Sequence, residues 1–389
     1  MHPHIVLKPG KDKAIRNHHH WIFSGAVSKT PYFKDGDFLP VYNAEGKLLG
    51  SGYFNRQSGI IGRMISFDET PPLEAIQACL RAALALRKTL FNPHQTTGYR
   101  LINGEGDGLP GLIVDIYDQV LVIQIGTKGM DQLKPWLVEQ LVTLCQPATI
   151  YEKSNVPSRR EEGLADTEGF LYGKKQLNIG FKENGLLFTS QLDKSQKTGF
   201  FLDHREMRQW VRELACGKRV LNAFSYTGGF TIYALAGGAI QADSVDISQE
   251  AIQTAQQHVD INGFSQQSHS VYCEDVFDFL RTKPLPYDLV ILDPPAFAKK
   301  QKDVVAGCRG YKDINRLAMQ KMPAGSLLLS CSCSHHVHEE LFQKVLFQAA
   351  LEAKRTVRII GKHRLAPDHP INIYHPESDY LKSFLLYLE

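Results

Sequence analysis

From about Lys218 the sequence settles into a repeated rhythm: a short apolar run, a polar or glycine break, then a stretch of helical length. The apolar runs are Arg219–Ala223, Ser244–Asp246, Ser268–Cys273, Asp288–Leu292 and Ser326–Ser332. Helical stretches such as Gln249–Asn262 and Glu339–Lys354 lie between or after them. Such runs, each followed by a long crossover, suit strands buried on both faces and paired in parallel. The alternation predicts an α/β fold with a doubly wound, Rossmann-like sheet. The closing DYLKSFLLYLE, Asp379–Glu389, is expected to add an edge strand.

In such sheets ligands sit beyond the carboxyl ends of the strands, so the breaks are the informative positions. The first run leads into LNAFSYTGGF, Leu221–Phe230, where Gly228 and Gly229 let backbone approach a ligand at a helix start. The Gly-x-Gly-x-x-Gly of dinucleotide enzymes is missing, which argues against an oxidoreductase. Asp246 ends the second run, where a carboxylate can accept ribose hydroxyls. Glu274-Asp275 follows the third and LDPPAF, Leu292–Phe297, the fourth. Each acidic residue alone reads equally well as a helix cap. Four such breaks at four successive strand ends are harder to assign to capping alone.

The N-terminal part is built differently. Residues 1–72 read as short strands of a small β-barrel, with a hairpin in Asp35–Asn55 turning at Asn43–Gly46. Leu73–Phe91 has the period of an amphipathic helix. Tyr99–Gly126 holds two apolar strands joined near Asp118, followed by a helix over Met130–Cys145 and a strand over Ala148–Glu152. Asn184-Gly185 marks a hairpin turn. These features divide the chain into an N-terminal β module (1–72), a central α+β domain (73–190) and the doubly wound domain (191–389).

Composition removes several classes. No run of about 18 apolar residues is present, so no membrane span is expected. MHPHIVLKPGKDK lacks the apolar core of a secretory signal, and a cytoplasmic protein is expected. Seven cysteines, an odd number without a Cys-x-x-Cys pair, argue against a disulfide framework and a zinc site. A net charge of +3 does not announce nucleic-acid binding. Local clusters at Lys8/Lys11/Lys13/Arg16, Arg159/Arg160 and Lys299/Lys300/Lys302 leave room for an RNA partner.

Taken together, the glycine turn, Asp246, Asp275 and Asp-Pro-Pro resemble class I methyltransferases that use S-adenosylmethionine. KTGFFLDHR, Lys197–Arg205, resembles a further cofactor motif of one branch. That branch is the bacterial large-subunit (23S) rRNA 5-methylcytosine methyltransferases with an N-terminal PUA domain. HHWIFSGAV and DGDFLPVYNAEGKLLGSGYFN resemble that PUA domain, and INGEGDGLPGLIVDIYD the family's central domain, so the likeness spans essentially the whole chain. HHW replaces the usual His-Pro-Trp, and KSNVPSRREEGL, Lys153–Leu164, departs from the usual Arg-Asn-Asp start, which leaves that segment's role open. The resemblance implies S-adenosylmethionine contacts at Lys197, Thr198, Phe200, Ala223, Phe224, Ser225, Gly228, Asp246, Asp275 and Asp293. It implies substrate contacts at Pro294, Pro295, Phe297 and Trp21, and 23S rRNA or a large-subunit precursor as partner. A homodimer is left open.

Two cysteines remain, in LLLSCSCSHH, Leu327–His336. Strand alternation would turn Leu327, Leu329, Cys331 and Cys333 to one face. Two residues along a strand span roughly 6.5–7 Å with side chains nearly parallel, which suits no disulfide. His335, His336 and His338 show no ligand spacing, so no metal is expected. Cys333 lies nearer the carboxyl end, and position alone favours it as reactive and Cys331 as packing. The family's nucleophile lies in a Thr/Ser-Cys-Ser motif, which here is Ser332-Cys333-Ser334, with Asp293 implied as its catalytic partner. Other RNA 5-methylcytosine enzymes carry a second cysteine directly after a proline in the loop that here reads Asp-Pro-Pro-Ala-Phe. The base that takes the carbon 5 proton is therefore not legible, and Cys308 is expected to pack rather than react. Two rival classes stay open: a base amino-group or ring-nitrogen methyltransferase using Asp-Pro-Pro, and a non-catalytic RNA-binding ribosome-assembly factor.

Overall fold

A computed structural model describes residues 3–389; Met1 and His2, at the head of the segment that lacks a secretory signal pattern, lie outside the described residues. The chain forms two compact units. One holds the residues up to Gly185 with Ser190–Leu202 and Pro367–Ser378; the other holds Leu186–Thr189, Asp203–Ala366 and Asp379–Glu389.

In the first unit, six short strands make a mixed sheet around a core that includes Ile5, Leu7, Val41, Phe54 and Met64. The expected hairpin is present: Phe38–Tyr42 pairs antiparallel with Leu48–Phe54. Its turn closes as the Asn43 side chain accepts the Lys47 N–H and Gly46 takes a φ of 79°. The helix Pro72–Leu90 follows, with proline in its first turn, where the missing N–H costs nothing. A second, five-stranded sheet runs in the order Thr167–Gly173, Thr149–Ser154, Val120–Ile125, Leu112–Tyr117, Gly98–Asn103. Asp118, at φ 56°, makes the expected turn. Gly98–Asn103 is an additional strand within what reads as a glycine-rich opening. The helix expected over Met130–Cys145 is two helices, Lys128–Gln132 and Lys134–Cys145, since Pro135 suits a first turn and not an interior. Asn184 and Gly185 both take positive φ, 50° and 83°, as the predicted turn requires.

The second unit is the doubly wound sheet. Its strands are β1 (Arg219–Ala223), β2 (Gln241–Asp246), β3 (Val271–Cys273), β4 (Leu289–Leu292), β5 (Leu327–Ser332), β6 (Val357–His363) and β7 (Lys382–Leu388). They lie in the order β3-β2-β1-β4-β5-β7-β6. Strands β1 to β5 pair in parallel, and β7 is antiparallel to both neighbours. The order reverses between β1 and β4, which opens a crevice at their carboxyl ends.

Two expectations change here. The closing run is not an edge strand: β7 is inserted between β5 and β6, and Phe384, Leu385, Leu386 and Leu388 are buried. A run apolar on both faces belongs inside a sheet. The edge is β6, which carries the exposed Ile359 and Ile360 and which the apolar pattern did not announce. β3 is also shorter than expected, because Gln266–Ser268 winds into a 3₁₀ turn capped by the Ser265 hydroxyl.

Candidate active site

The turn leaving β1 is bent into an unusual backbone. Phe224, Tyr226 and Gly228 take φ values of 59°, 46° and 78°, so three of five consecutive residues are left-handed and two of those carry side chains. Such conformations cost of order 1 kcal/mol each and gather where a ligand is gripped. Gly228 is also fixed by packing, since a Cβ there would come within 2.8 Å of the Ala255 side chain. The Ser225 and Thr227 hydroxyls are buried in this turn without a hydrogen-bond partner in the protein. A buried hydroxyl without a partner is expensive unless a ligand satisfies it.

Asp246, at the end of β2, closes the cradle. Its Oδ2 accepts the Tyr226 N–H at 2.9 Å and its Oδ1 the Ser248 N–H at 2.9 Å. Each oxygen keeps a lone pair, which suits a pair of ribose hydroxyls. Asp275 is exposed and caps the helix Val276–Thr282, accepting from Phe277 and Asp278 N–H through Oδ1. Ala223 is fully buried, and its carbonyl accepts the Asp293 N–H at 3.4 Å, tying the ends of β1 and β4 together. The donor set of this cradle fits S-adenosylmethionine: a turn with orphaned hydroxyls, a carboxylate for the ribose, and no pyrophosphate fingerprint.

Lys197, Thr198 and Phe200 fall in the first unit. Thr198 is buried and donates its hydroxyl to Asp115, and the Phe200 N–H donates to the Tyr117 hydroxyl while its ring packs on Phe181. Lys197 sits at φ 48° with its ammonium 4.3 Å from the Phe201 ring centroid. Trp21 is also in the first unit. Its indole N–H donates to Glu105 at 2.8 Å and its ring lies edge-on to His375. That indole already has an internal partner.

The two cysteines part company at the end of β5. Strand pairing stops at Ser332, so Cys333 lies just past the strand rather than on its face. Cys331 is fully buried, with its sulfur 4.0 Å from the Met207 sulfur. Burial, reinforced by Asp293, pushes its thiol well above the ordinary range. Cys333 is partly exposed and its thiol donates to the Pro294 carbonyl at 3.7 Å, a weak bond that places it against the Asp-Pro-Pro loop. Ser334 joins the same two loops: its hydroxyl accepts the Ala298 N–H at 3.1 Å and pairs with the Tyr311 hydroxyl at 2.9 Å. Pro294 is buried and Pro295 exposed. Phe297 packs into an aromatic cluster with Tyr311, Phe277 and Phe224. Cys308 is partly buried against the core, and burial raises its thiol.

Sequence patterns did not single out three neighbours. His204 is buried with its Nε2 3.5 Å from Asp293 Oδ2. Tyr311 has a phenol raised by burial. Lys382 is buried at the start of β7, where one lysine in an apolar strand was the available signal. Among the described residues two donor groups are compact enough to invite a metal: His19 with His375 and Glu377, and His204 with Asp293 and Cys331. In the first, His19 Nδ1 accepts the Trp21 N–H, so Nε2 carries the ring proton toward Glu377 and has no lone pair for an ion. In the second, Cys331 is fully buried with its sulfur against the Met207 sulfur, and Asp293 Oδ2 already meets His204 Nε2. We assign neither as a metal site.

Comparison with known proteins agrees with this architecture. Residues 103–370 match the model of the S-adenosylmethionine-dependent methyltransferases and residues 5–67 that of a PUA-like domain. Ribosomal RNA large subunit methyltransferase I of Alteromonas mediterranea is 40% identical over 99% of this chain and 98% of its own length. The protein of that name from Photobacterium profundum is 41% identical over 99% of each. SMU.776, assigned as a methyltransferase and solved with SAH, superposes with a TM-score of 0.86 at 24% identity over 99% of both chains, a likeness of fold. No helix among the described residues is long and apolar enough to cross a membrane. The chain belongs to the S-adenosylmethionine-dependent methyltransferases, and within them to the family of ribosomal RNA large subunit methyltransferase I.

Proposed function

We propose that this enzyme methylates carbon 5 of a cytosine in 23S rRNA, or in a large-subunit precursor, through a covalent bond between Cys333 and carbon 6. The observation that carries the reading is the partly exposed Cys333 thiol set against the Asp293-Pro294-Pro295 loop at the carboxyl end of the sheet. The named activity of the full-length relatives supports the rRNA substrate.

Carbon 5 of cytosine is too weak a nucleophile to take a methyl group unaided. The Cys333 thiolate adds to carbon 6, forming the S–C bond and pushing the ring electrons toward carbon 5. S-adenosylmethionine, when bound, supplies the electrophilic methyl group that carbon 5 takes. Loss of the carbon 5 proton to a base then drives the S–C6 electron pair back to sulfur, which restores the ring and the thiolate. Asp293 hydrogen-bonds the nitrogen edge of the base and stabilises the adduct. Pro294 and Pro295 stiffen its loop, and Phe297 braces the flipped base from its aromatic cluster.

In this reading the cradle of Ala223, Phe224, Ser225, Gly228 and Asp246 holds the cofactor with Asp275 at its border, and Lys197, Thr198 and Phe200 are carried as cofactor contacts by the family motif alone. Residues 1–72, with Trp21, serve RNA binding, 73–190 form the central domain and 191–389 the catalytic one. The work is cytoplasmic, where ribosomes are assembled.

RNA carrying 5-fluorocytidine tests the proposal, because fluorine at carbon 5 cannot leave as the proton does. The unaltered enzyme with S-adenosylmethionine is expected to form an adduct that survives denaturation and maps to Cys333. Full methylation by Cys333→Ala would instead establish amino-group or ring-nitrogen chemistry at Asp-Pro-Pro. Calorimetry without S-adenosylmethionine binding would leave a non-catalytic assembly factor.

A further inference from the structure

The register of β5 and β7 sets Lys382 opposite Ser332, one residue before Cys333. The side chain is buried, and an ammonium taken out of water keeps its charge only where its N–H groups find acceptors. Two do: Lys382 donates to the Ser334 carbonyl at 2.7 Å and to the Tyr380 carbonyl at 2.8 Å. Both acceptors are neutral, so these bonds satisfy the donors without cancelling the charge.

The charged groups around it are few. Cys333, as thiolate, and Asp379 attract the ammonium, and Arg364 repels it. Asp379 is paired with Arg364, which also bridges to Glu339, so the Asp379 charge is already answered. Around the sulfur, Tyr311 and Cys331 are neutral, each held protonated by burial. Asp293, with His204 beside it, and Asp203 act on Cys331. Among these groups Lys382 is the buried cation, bonded to the carbonyl of the residue next to Cys333.

We propose that Lys382 is a positioning residue for Cys333: its ammonium stabilises the thiolate, and its bond to the Ser334 carbonyl fixes the loop that aims the sulfur. The inference rests on Cys333 being the nucleophile. A nearby opposite charge favours an ionised thiol, and carbonyl-bound Lys382, one residue along from Cys333 through Ser334, supplies one without forming a competing ion pair. Burial lowers the ammonium to about 8. It is therefore charged through neutral pH, and its support of the thiolate persists up to about pH 8 and fades above it.

The test follows alkylation of the Cys333 peptide by iodoacetamide in the full-length protein across pH, resolved by mass spectrometry. The unaltered protein is expected to show a Cys333 thiol below the ordinary value of about 8.5. Lys382→Met should raise that midpoint by about one unit, which slows alkylation at neutral pH about tenfold. Lys382→Arg, which keeps charge and donors, should restore it to within about twofold. A folded Lys382→Met protein with an unmoved profile overturns the proposal. So does a thiol at or above about 8.5 in the unaltered protein, a readout that needs no variant to fold. Trapping on 5-fluorocytidine RNA separates the two ideas. Trapping with an unmoved alkylation profile sinks Lys382 alone, and absence of trapping sinks the nucleophile whatever Lys382 does to the profile.

Discussion

Cys331 and Cys333 are two residues apart, and the protein makes opposite things of them. Cys331 closes the interior of β5, against Met207, where burial holds it as a neutral thiol. Cys333 lies past the last paired residue, partly exposed, against the Asp-Pro-Pro loop. Chemical type is identical, so the difference belongs to the environment: where the strand ends and which loops gather there. A thiol's usefulness is set by its access and by the cost of its anion, both of which change within one step of backbone.

The comparison breaks most sharply on turnover. Cys333→Ala should lower methyl transfer by roughly 10³-fold or more, while Cys331→Ala should keep it within a few-fold. Single-turnover transfer of labelled methyl to rRNA measures both. Equal losses would mean that the two sulfurs act together. Next comes reagent selectivity. At pH 8 the Cys331 peptide should alkylate at least about a hundredfold more slowly than Cys333, because it lacks both access and thiolate. Comparable rates in the folded protein would dissolve the distinction.

A third variant separates the cysteines from the cradle. Asp246→Ala removes the acceptor of the Tyr226 and Ser248 N–H groups. Hydrogen bonds to a charged group are worth about 1.5–3 kcal/mol, so affinity for S-adenosylmethionine should fall roughly 10- to 150-fold by calorimetry. The Cys333 alkylation profile should stay in place. A shift there would show that cradle and nucleophile are one coupled network.

Much of the fold and of the cradle is legible in the residues themselves. The strand rhythm carries the order of breaks, and Asp246 and the Asp-Pro-Pro loop stand where those breaks put them. Legibility fails where a role depends on antiparallel pairing between distant segments. Lys382 acquires its neighbours because β7 inserts beside β5, and nothing local to DYLKSFLLYLE says which strand it will meet. The edge position expected for β7 fails for a related reason: an apolar run announces a strand, and only its two apolar faces announce a place inside the sheet. His204 sits inside a recognisable motif, but its 3.5 Å approach to Asp293 joins residues far apart in the sequence and has no local signal. Asp275 reads both ways: it caps the helix Val276–Thr282 through Oδ1, and it stands at a strand end where the cofactor reading places an acceptor.

The smallest effect probes Cys331 as packing. Cys331→Ala deletes a fully buried sulfur and should cost about 1–2 kcal/mol at pH 7 through lost contacts and a small cavity. The cost should then shrink with alkalinity. In the unfolded chain the thiol gives up its proton near 8.5, whereas in the folded protein burial keeps it bound far higher. Above that pH the native state holds one more proton than the unfolded state, so stability of the unaltered protein falls by about 1.4 kcal/mol per pH unit from this group. Alanine has no proton to lose and escapes that slope. Urea unfolding at pH 7 and pH 9.5 should therefore show the gap between the two proteins narrowing by roughly 1 kcal/mol. A constant gap would mean that Cys331 ionises as easily inside the fold as outside, and the contrast between the two sulfurs would rest on access alone.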